Sequence, residues 1–460
     1  MSSHLKPWHW RSQPLADRSP TEIFSTLFLK PGKIATLLQS PTNNPDLSKL
    51  CRYSICAGEP RIVAGKARIW TPKLGNILDC LSNFATQPQT QSDIPAHLPF
   101  VGGWLGWLGY DLAWEIEQLP RKNSDNLPFP VAYWYEPANF AVIDHLEQTL
   151  WLASSQAEQL DILSKKLINY RENEPKSPIK PLLLPEINFE SDRYSYEQSV
   201  KRAKEYIRAG DIFQANLSLR FNTTSKYDSW SIYRRLQQIN PSPFASYWQT
   251  PWGELVSCSP ERLVKLEKNR AETRPIAGTR PRGRNLLEEQ KLAAELLTND
   301  KERAEHIMLV DLARNDLGKV CQWGSVEVDE LLTIERYSHV MHLVSNVRGV
   351  LPADCHAVDL IAAMFPGGTI TGCPKVRCLE IIEELEPVSR SLFYGSCGYL
   401  DYRGKLDLNI LIRTLLCSSV SGINQVWGQV GAGIVADSEP TKEWFESWQK
   451  AKAQLTALKN

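Results

Sequence analysis

Past residue 186 the apolar positions of the chain recur at two periods. Tyr196, Val200, Ala203 and Ile207 follow one another at 4-3-4 spacing, behind Ser191 or Asp192 as a cap and ahead of Gly210, which predicts a helix ending near Ala209. From Ile212 to Phe221 the period drops to two. Phe213, Ala215, Leu217 and Leu219 alternate with Gln214, Asn216, Ser218 and Arg220, the pattern of a strand with one polar side that could face a ligand. Further strands are expected at 255–257, 343–350, 398–401, 408–414 and 426–434, interleaved with helices near 286–297, 300–313, 375–385 and 441–458. Before residue 186, short apolar runs punctuated by Gly and Pro, at 102–110 and 131–135, predict strands and turns. No internal repeat is visible, and the order of elements predicts an α+β fold with large sheets.

The stretch 172–185 breaks both periods, holding four prolines and several charges. It marks a boundary between an N-terminal region, 1–185, and a second region, 186–460. At 460 residues the chain is long enough for two domains or one large intertwined core. Lys plus Arg and Asp plus Glu number 52 each, so no global field favours nucleic acid or an anionic membrane, and an anionic ligand must be held by local groups. The ten cysteines form no C-x-x-C pair, and Cys373 and Cys378 lack the partners of a zinc site, which points to reduced thiols. The first twenty residues lack the charged start and apolar run of a signal peptide, and no stretch approaches the ~18 apolar residues of a membrane span. A soluble, cytoplasmic protein is expected.

Candidate chemistry begins with two carboxylate pairs. Glu302 and Glu305, three apart, extend the stripe of Met308, Leu309 and Leu312, and Glu443 and Glu446 repeat the spacing in a helix that starts behind Asp437, Ser438 and Pro440. Two such pairs can surround a hard divalent cation; glutamates favoured by a helix N-terminus explain each pair separately almost as well. Glycine clusters at 366–372 and 428–433 offer backbone N–H groups to an anion, without the spacing of a P-loop or a dinucleotide fingerprint, so a carboxylate ligand is the better expectation. Arg413, after the apolar run 410–412, is a candidate bidentate partner for a carboxylate. A lone histidine such as His342 is more often structural than catalytic and needs support from its neighbours.

Four long, ordered motifs supply that support: Pro275-Ile276-Ala277-Gly278-Thr279-Arg280-Pro281-Arg282-Gly283, the run from Glu305 to Gly318, the run from Gly368 to Lys375, and Gly431 to Ser438. On these the chain resembles, over nearly its whole length, the synthase subunits of chorismate-utilising enzymes of the anthranilate synthase component I and aminodeoxychorismate synthase component I type. The resemblance implies large, mostly antiparallel sheets flanked by helices, with the chorismate-binding catalytic part in 186–460. It implies that Glu302, Glu305, Glu443 and Glu446 surround Mg²⁺, which clamps the ring carboxylate and draws electron density from the ring. It further implies that His342 is a general acid for departure of the C4 hydroxyl. Thr279, Thr369, Lys375, Arg413, Gly431 and Gly433 would hold the substrate.

Two catalytic positions choose among the family's reactions. Where isochorismate and salicylate synthases carry a lysine that activates water, this chain has Gln214, which cannot act as that base. Where aminodeoxychorismate synthases typically carry a nucleophilic lysine, it has Ala277, as anthranilate synthases do. The expected reaction is therefore attack of ammonia on C2 and elimination of pyruvate to give anthranilate. The surroundings, including Ser259-Pro260-Glu261-Arg262-Leu263 and Gly368-Thr369-Ile370-Thr371-Gly372, look closer to aminodeoxychorismate synthases and keep 4-amino-4-deoxychorismate as the alternative product. A non-catalytic subunit that senses chorismate or tryptophan is a third reading, which the retained Glu pairs, His342 and Arg413 oppose.

A tryptophan feedback site of the kind seen in anthranilate synthases would involve Leu38, Ser40, Tyr53, Asn240 and Pro241. Gln39 stands where that site customarily has Glu, which counts against it. The family's ligand-contacting Tyr falls on Phe393, with Tyr394 one place later. The chain shows no glutaminase motif, so a separate glutamine amidotransferase subunit is the expected partner, beside chorismate itself.

Overall fold

The computed structural model describes residues 8–41, 50–85, 95–169, 186–337, 340–420 and 423–459. The predicted helix forms as Arg193–Ala209, with the Asp192 carboxylate accepting from Ser195 N at 2.7 Å and Gly210 closing it at φ +82°. The alternating segment forms the strand Gln214–Ser225. Phe213 falls outside it and is 66% exposed, contrary to its expected place on the apolar side. Leu217, Leu219 and Phe221 pack under helices on one face. The opposite, polar face is buried in the molecule rather than turned to water. The helices Leu286–Thr298, Asp300–Gly318, Lys375–Leu385 and Pro440–Ala457 lie where their periods place them.

Among the described residues, the strands assemble into two large antiparallel sheets, confirming the α+β class. The first sheet runs in the order His9–Pro14, Thr149–Ser154, Asn139–Asp144, Tyr53–Ala57, Ala35–Gln39, Phe244–Thr250, Gly253–Ser259, Thr414–Val420, Ile423–Ile434, Gln214–Ser225 and Asn188–Phe189. The second centres on Val340–Val350, Arg262–Glu267, Leu406–Asn409, Ser396–Asp401 and Gly103–Leu108. Both sheets draw strands from either side of residue 186, and the proline-rich stretch 172–185 lies outside the described residues. Tryptophans fill the space between the sheets, with Trp107 and Trp248 meeting edge to face at 5.9 Å. The helices Arg193–Ala209, Ser229–Ile239 and Pro440–Ala457 cover the outer face of the first sheet.

One predicted strand divides. Instead of a continuous 408–414, Leu406–Asn409 belongs to the second sheet and Thr414–Val420 to the first. The chain crosses between them through the buried Ile410 and Leu411 and turns at Arg413, whose φ is +52°. An apolar run buried between two sheets has the composition of a strand without its ladder, so the period misled. No described helix is long and apolar enough to cross a membrane.

Candidate active site

The polar face of Gln214–Ser225 lies against the glycine-rich strand Ile423–Ile434, with Asn216 opposite Gly433 and Ser218 opposite Gly431. Side chains larger than hydrogen do not fit there. A Cβ on Gly433 would stand 2.6 Å from Gln214 Nε2, and one on Gly431 would stand 2.9 Å from the Tyr394 hydroxyl and 3.0 Å from Asn216 Oδ1. Arg390 locks this floor to the loop 366–372. Its guanidinium donates to Ile370 O at 2.8 Å and Asn216 O at 2.7 Å, pairs with Glu386 at 2.6 Å, and lies between the rings of Tyr110 and Tyr394.

The wall is the strand pair Ile276–Pro281 and Val340–Val350, where register shifts between Ala277 and Thr279. Gly278 takes up the bulge at φ +57°, a conformation that suits glycine, and a Cβ there would meet Glu302 Oε2 at 2.9 Å. The bulge sets Thr279 beside His342, with Thr279 Oγ1 3.0 Å from His342 Nδ1. Gly278 O, which can only accept, is 3.2 Å from the same nitrogen, so Nδ1 carries the proton and Nε2 is left for a ligand. Burial pushes the His342 imidazole down to about 4, with the Arg413 charge adding to the shift.

The four glutamates are carried on two helices, Asp300–Gly318 and Pro440–Ala457. Asn299 caps Asp300–Gly318 through Glu302 N at 3.0 Å, presenting Glu302 and Glu305 on one side. Burial raises the Glu305 carboxyl, and the charges of Glu302 and Glu446 add to this against Lys450. Burial likewise raises Glu443, with Glu446 adding and Ser438 opposing. Glu302 accepts from Arg280 at 3.1 Å and Glu446 pairs with Lys450 at 2.8 Å. These oxygens do not close on a single point. The group of ligand atoms that does among the described residues, His97, Asp144 and Glu147, has both carboxylates paired with Arg52.

Of the other candidates, Arg413 is held below its ordinary pKa by burial, donates to Lys450 O at 2.9 Å, and its charge reaches His342 and Tyr394. Thr369 donates its hydroxyl to Glu261, a buried carboxyl raised to about 7 by burial, at 2.8 Å. Lys375 has a structural setting: its buried ammonium pairs with Asp316 at 2.6 Å and donates to Met364 O at 3.3 Å. Tyr394, at φ +65°, brings its hydroxyl to Gly431, while the Phe393 ring is buried beside Arg220.

Lys450 was not singled out in sequence, while Asn216 was placed only on the polar side of its strand and Tyr394 only one place past the expected ligand-contacting position. Lys450 stands four residues after Glu446 on one helix, a spacing that signals the pair. Its ammonium also donates to Gly431 O at 3.0 Å, tying the glutamate helix to the glycine floor.

Leu38, Ser40 and Tyr53 line a separate cavity of about 330 Å³ between the sheets, together with Arg262 and Tyr399. Asn240 and Pro241 are not among its lining residues, although Pro243 is. Asn240 is turned to Ser242 and Cys258 O, at 3.3 Å each. Gln39 accepts from the buried Tyr233 hydroxyl at 2.8 Å.

The profile of the chorismate binding enzyme family matches residues 37–456. The chain belongs to that family. It is 62% identical over 460 residues to an anthranilate synthase component I-like protein of Synechocystis sp., covering 99% of this chain and 92% of that one. It is 43% identical over 432 residues to aminodeoxychorismate synthase component 1 of Bacillus subtilis, covering 88% and 89%. The crystal structure of anthranilate synthase component I from Streptococcus pneumoniae superposes with a TM-score of 0.75 at 29% identity, covering 91% of this chain and 98% of that one. The protein is thus a chorismate-utilising enzyme of the anthranilate and aminodeoxychorismate synthase type.

Proposed function

We propose that this chain joins ammonia to chorismate at C2 and releases pyruvate, forming anthranilate. The observation that carries this reading is Ala277. It sits beside the Gly278 bulge that sets Thr279 against His342, and its methyl group offers no amine for covalent attack on the ring. Gln214, on the neighbouring floor, cannot deprotonate water, so the nucleophile must arrive as ammonia.

The side chains divide the work. Arg413 and the backbone at Gly431 and Gly433 receive the carboxylates of chorismate, and Thr279 orients His342. Protonated His342 keeps its Nδ1–H on Gly278 O and delivers the Nε2 proton to the departing C4 hydroxyl. The free enzyme holds this imidazole neutral, so the two carboxylates of the substrate must supply the field that protonates it. Glu302, Glu305, Glu443 and Glu446 would hold Mg²⁺: an all-oxygen set, with two members raised by burial and mutual repulsion, suits a hard dication. When bound, the ion supplies a clamp for the ring carboxylate and lowers the electron density of the ring. Lys375 has no part in binding on this reading. Nor does tryptophan: the inter-sheet cavity keeps its polar groups paired and Gln39 tied to Tyr233.

A second reading, synthesis of 4-amino-4-deoxychorismate without a lysine nucleophile, is favoured by the 43% identity to the Bacillus subtilis aminodeoxychorismate synthase component 1. Incubation of the purified protein with chorismate, Mg²⁺ and ammonium, followed by mass analysis, separates the two. Anthranilate with pyruvate supports the first, aminodeoxychorismate without pyruvate replaces it with the second, and no product removes both. Ammonia would come from a separate glutamine amidotransferase subunit. Glutamine-dependent turnover by the isolated chain would overturn that partner.

A further inference from the structure

We propose that Tyr337 is a positioning residue for His342, an inference that rests on the reading of His342 as the acid for the departing hydroxyl. The torsion about the Cβ–Cγ bond of a histidine has two broad wells half a turn apart, and turning from one to the other puts a ring carbon where Nε2 stood. Delivery of a proton from Nε2 therefore requires that one well be held. The contact of His342 Nδ1 with Gly278 O, at 3.2 Å, is at the long end of hydrogen bonding. The Thr279 hydroxyl, 3.0 Å from the same nitrogen, rotates to suit either protonation state and so selects neither. The ring needs a wall as well as these bonds.

Tyr337 supplies it. Its ring meets the imidazole edge to face, with centroids 5.1 Å apart and planes at 75°, a geometry that rotation of either ring would spoil. The tyrosine is itself fixed at several points. Its N–H donates to Val340 O at 2.8 Å and its carbonyl accepts from Arg282 at 2.7 Å. Its hydroxyl donates to Glu335 Oε2 at 3.0 Å; Glu335 is held in turn by Arg274, which also pairs with Glu330 at 2.8 Å. The side chain is 5% exposed and packs with Cys51 of the N-terminal region. Burial holds the phenol well above its ordinary range, so the hydroxyl stays a neutral donor. A ring fixed at its backbone and its hydroxyl passes its position on to the imidazole it touches.

Two measurements on Tyr337→Leu and Tyr337→Phe test this role: steady-state turnover of chorismate with Mg²⁺ and ammonium, and the NMR resonances of the His342 ring protons, assigned by their loss in His342→Gln. Tyr337→Leu should lower kcat roughly tenfold, keep the KM for chorismate within about twofold, and move the His342 resonances as the ring current is lost. Tyr337→Phe, which restores the ring without the hydroxyl, should recover kcat to within about threefold of the parent and return the resonances towards their original place. Parental kcat in Tyr337→Leu, unmoved resonances, or an equal loss in the Leu and Phe variants overturns the proposal. If Tyr337→Leu does not fold, Cys51→Ala decides: loosening the tyrosine at that contact should lower kcat about threefold at unchanged KM and shift the same resonances, and parental behaviour overturns it. Should the unsubstituted protein leave chorismate unconverted, the reading of its function falls and the role of Tyr337 with it. Conversion by the parent and by Tyr337→Leu at equal rates removes Tyr337 alone.

Discussion

The cavity between the sheets and the glycine-floored site are both polar, yet they treat their polar groups in opposite ways. Around the cavity, Ser40 donates to Pro243 O, Tyr53 to His97 O, Arg262 pairs with Asp407 and Glu272, and Lys405 with Glu267. On the site floor, two amide oxygens are buried without a donor, and two glutamates nearby are raised by burial and repulsion. A polar group satisfied within the fold stabilises it, whereas one left unsatisfied destabilises the free protein and gains only when a ligand arrives. The contrast separates a seam that holds two sheets together from the proposed active site, which cavity volume alone does not do.

Substitutions on the two sides should therefore differ in kind. The largest effect is expected for Glu305→Gln, which keeps the shape and removes a charge from the proposed cation site: turnover should be lost and Mg²⁺ binding, followed by calorimetry, should weaken. Mg²⁺-dependent activity near that of the parent would refute the assignment of the four glutamates. Next, His342→Gln should lower kcat by about 10²–10⁴, the usual contribution of a positioned acid, with chorismate still bound. A change below about threefold would return His342 to a structural role.

Acid should act on the site side before the seam. His342 and His306 are both pushed down to about 4, chiefly by burial. In the unfolded chain they titrate near about 6.5, so that state takes up protons first as the pH falls. Their contribution to stability is complete above about 6.5 and is lost progressively down to about 4. Urea midpoints should fall across that window, and His342→Gln should flatten the decline; the same slope in the variant would show that His342 does not titrate there. Smallest of all, Ser40→Ala should reduce stability by about 1 kcal/mol through the lost bond to Pro243 O and leave turnover within about twofold. A greater loss of activity would mean that the cavity is coupled to the site.

Local pattern made much of this legible. The cap at Asp192 and the stop at Gly210, the alternation after Ile212, and the two Glu pairs at helical spacing each depend on residues a few places apart. The division at Arg413 was hidden because Ile410 and Leu411 are buried in a crossing, which has the same composition as a strand. The choice between Phe393 and Tyr394 was hidden too, since it turns on one left-handed residue. Lys375, part of a recognisable motif, proved to be held by Asp316, whose place opposite it depends on how distant helices pack.

By itself the sequence determined the class of fold, the period of its helices and strands, the family, and the identity of the groups at the proposed reacting positions, Gln214, Ala277 and His342. Only the tertiary structure decided that strands from both ends of the chain share each sheet, that Lys450 ties the glutamate helix to Gly431 O, and that Gln214 and Asn216 keep acceptors unpaired. Hydrogen bonding and burial between residues of different helices and strands leave no period in the chain, because what satisfies a polar group is its neighbour in space.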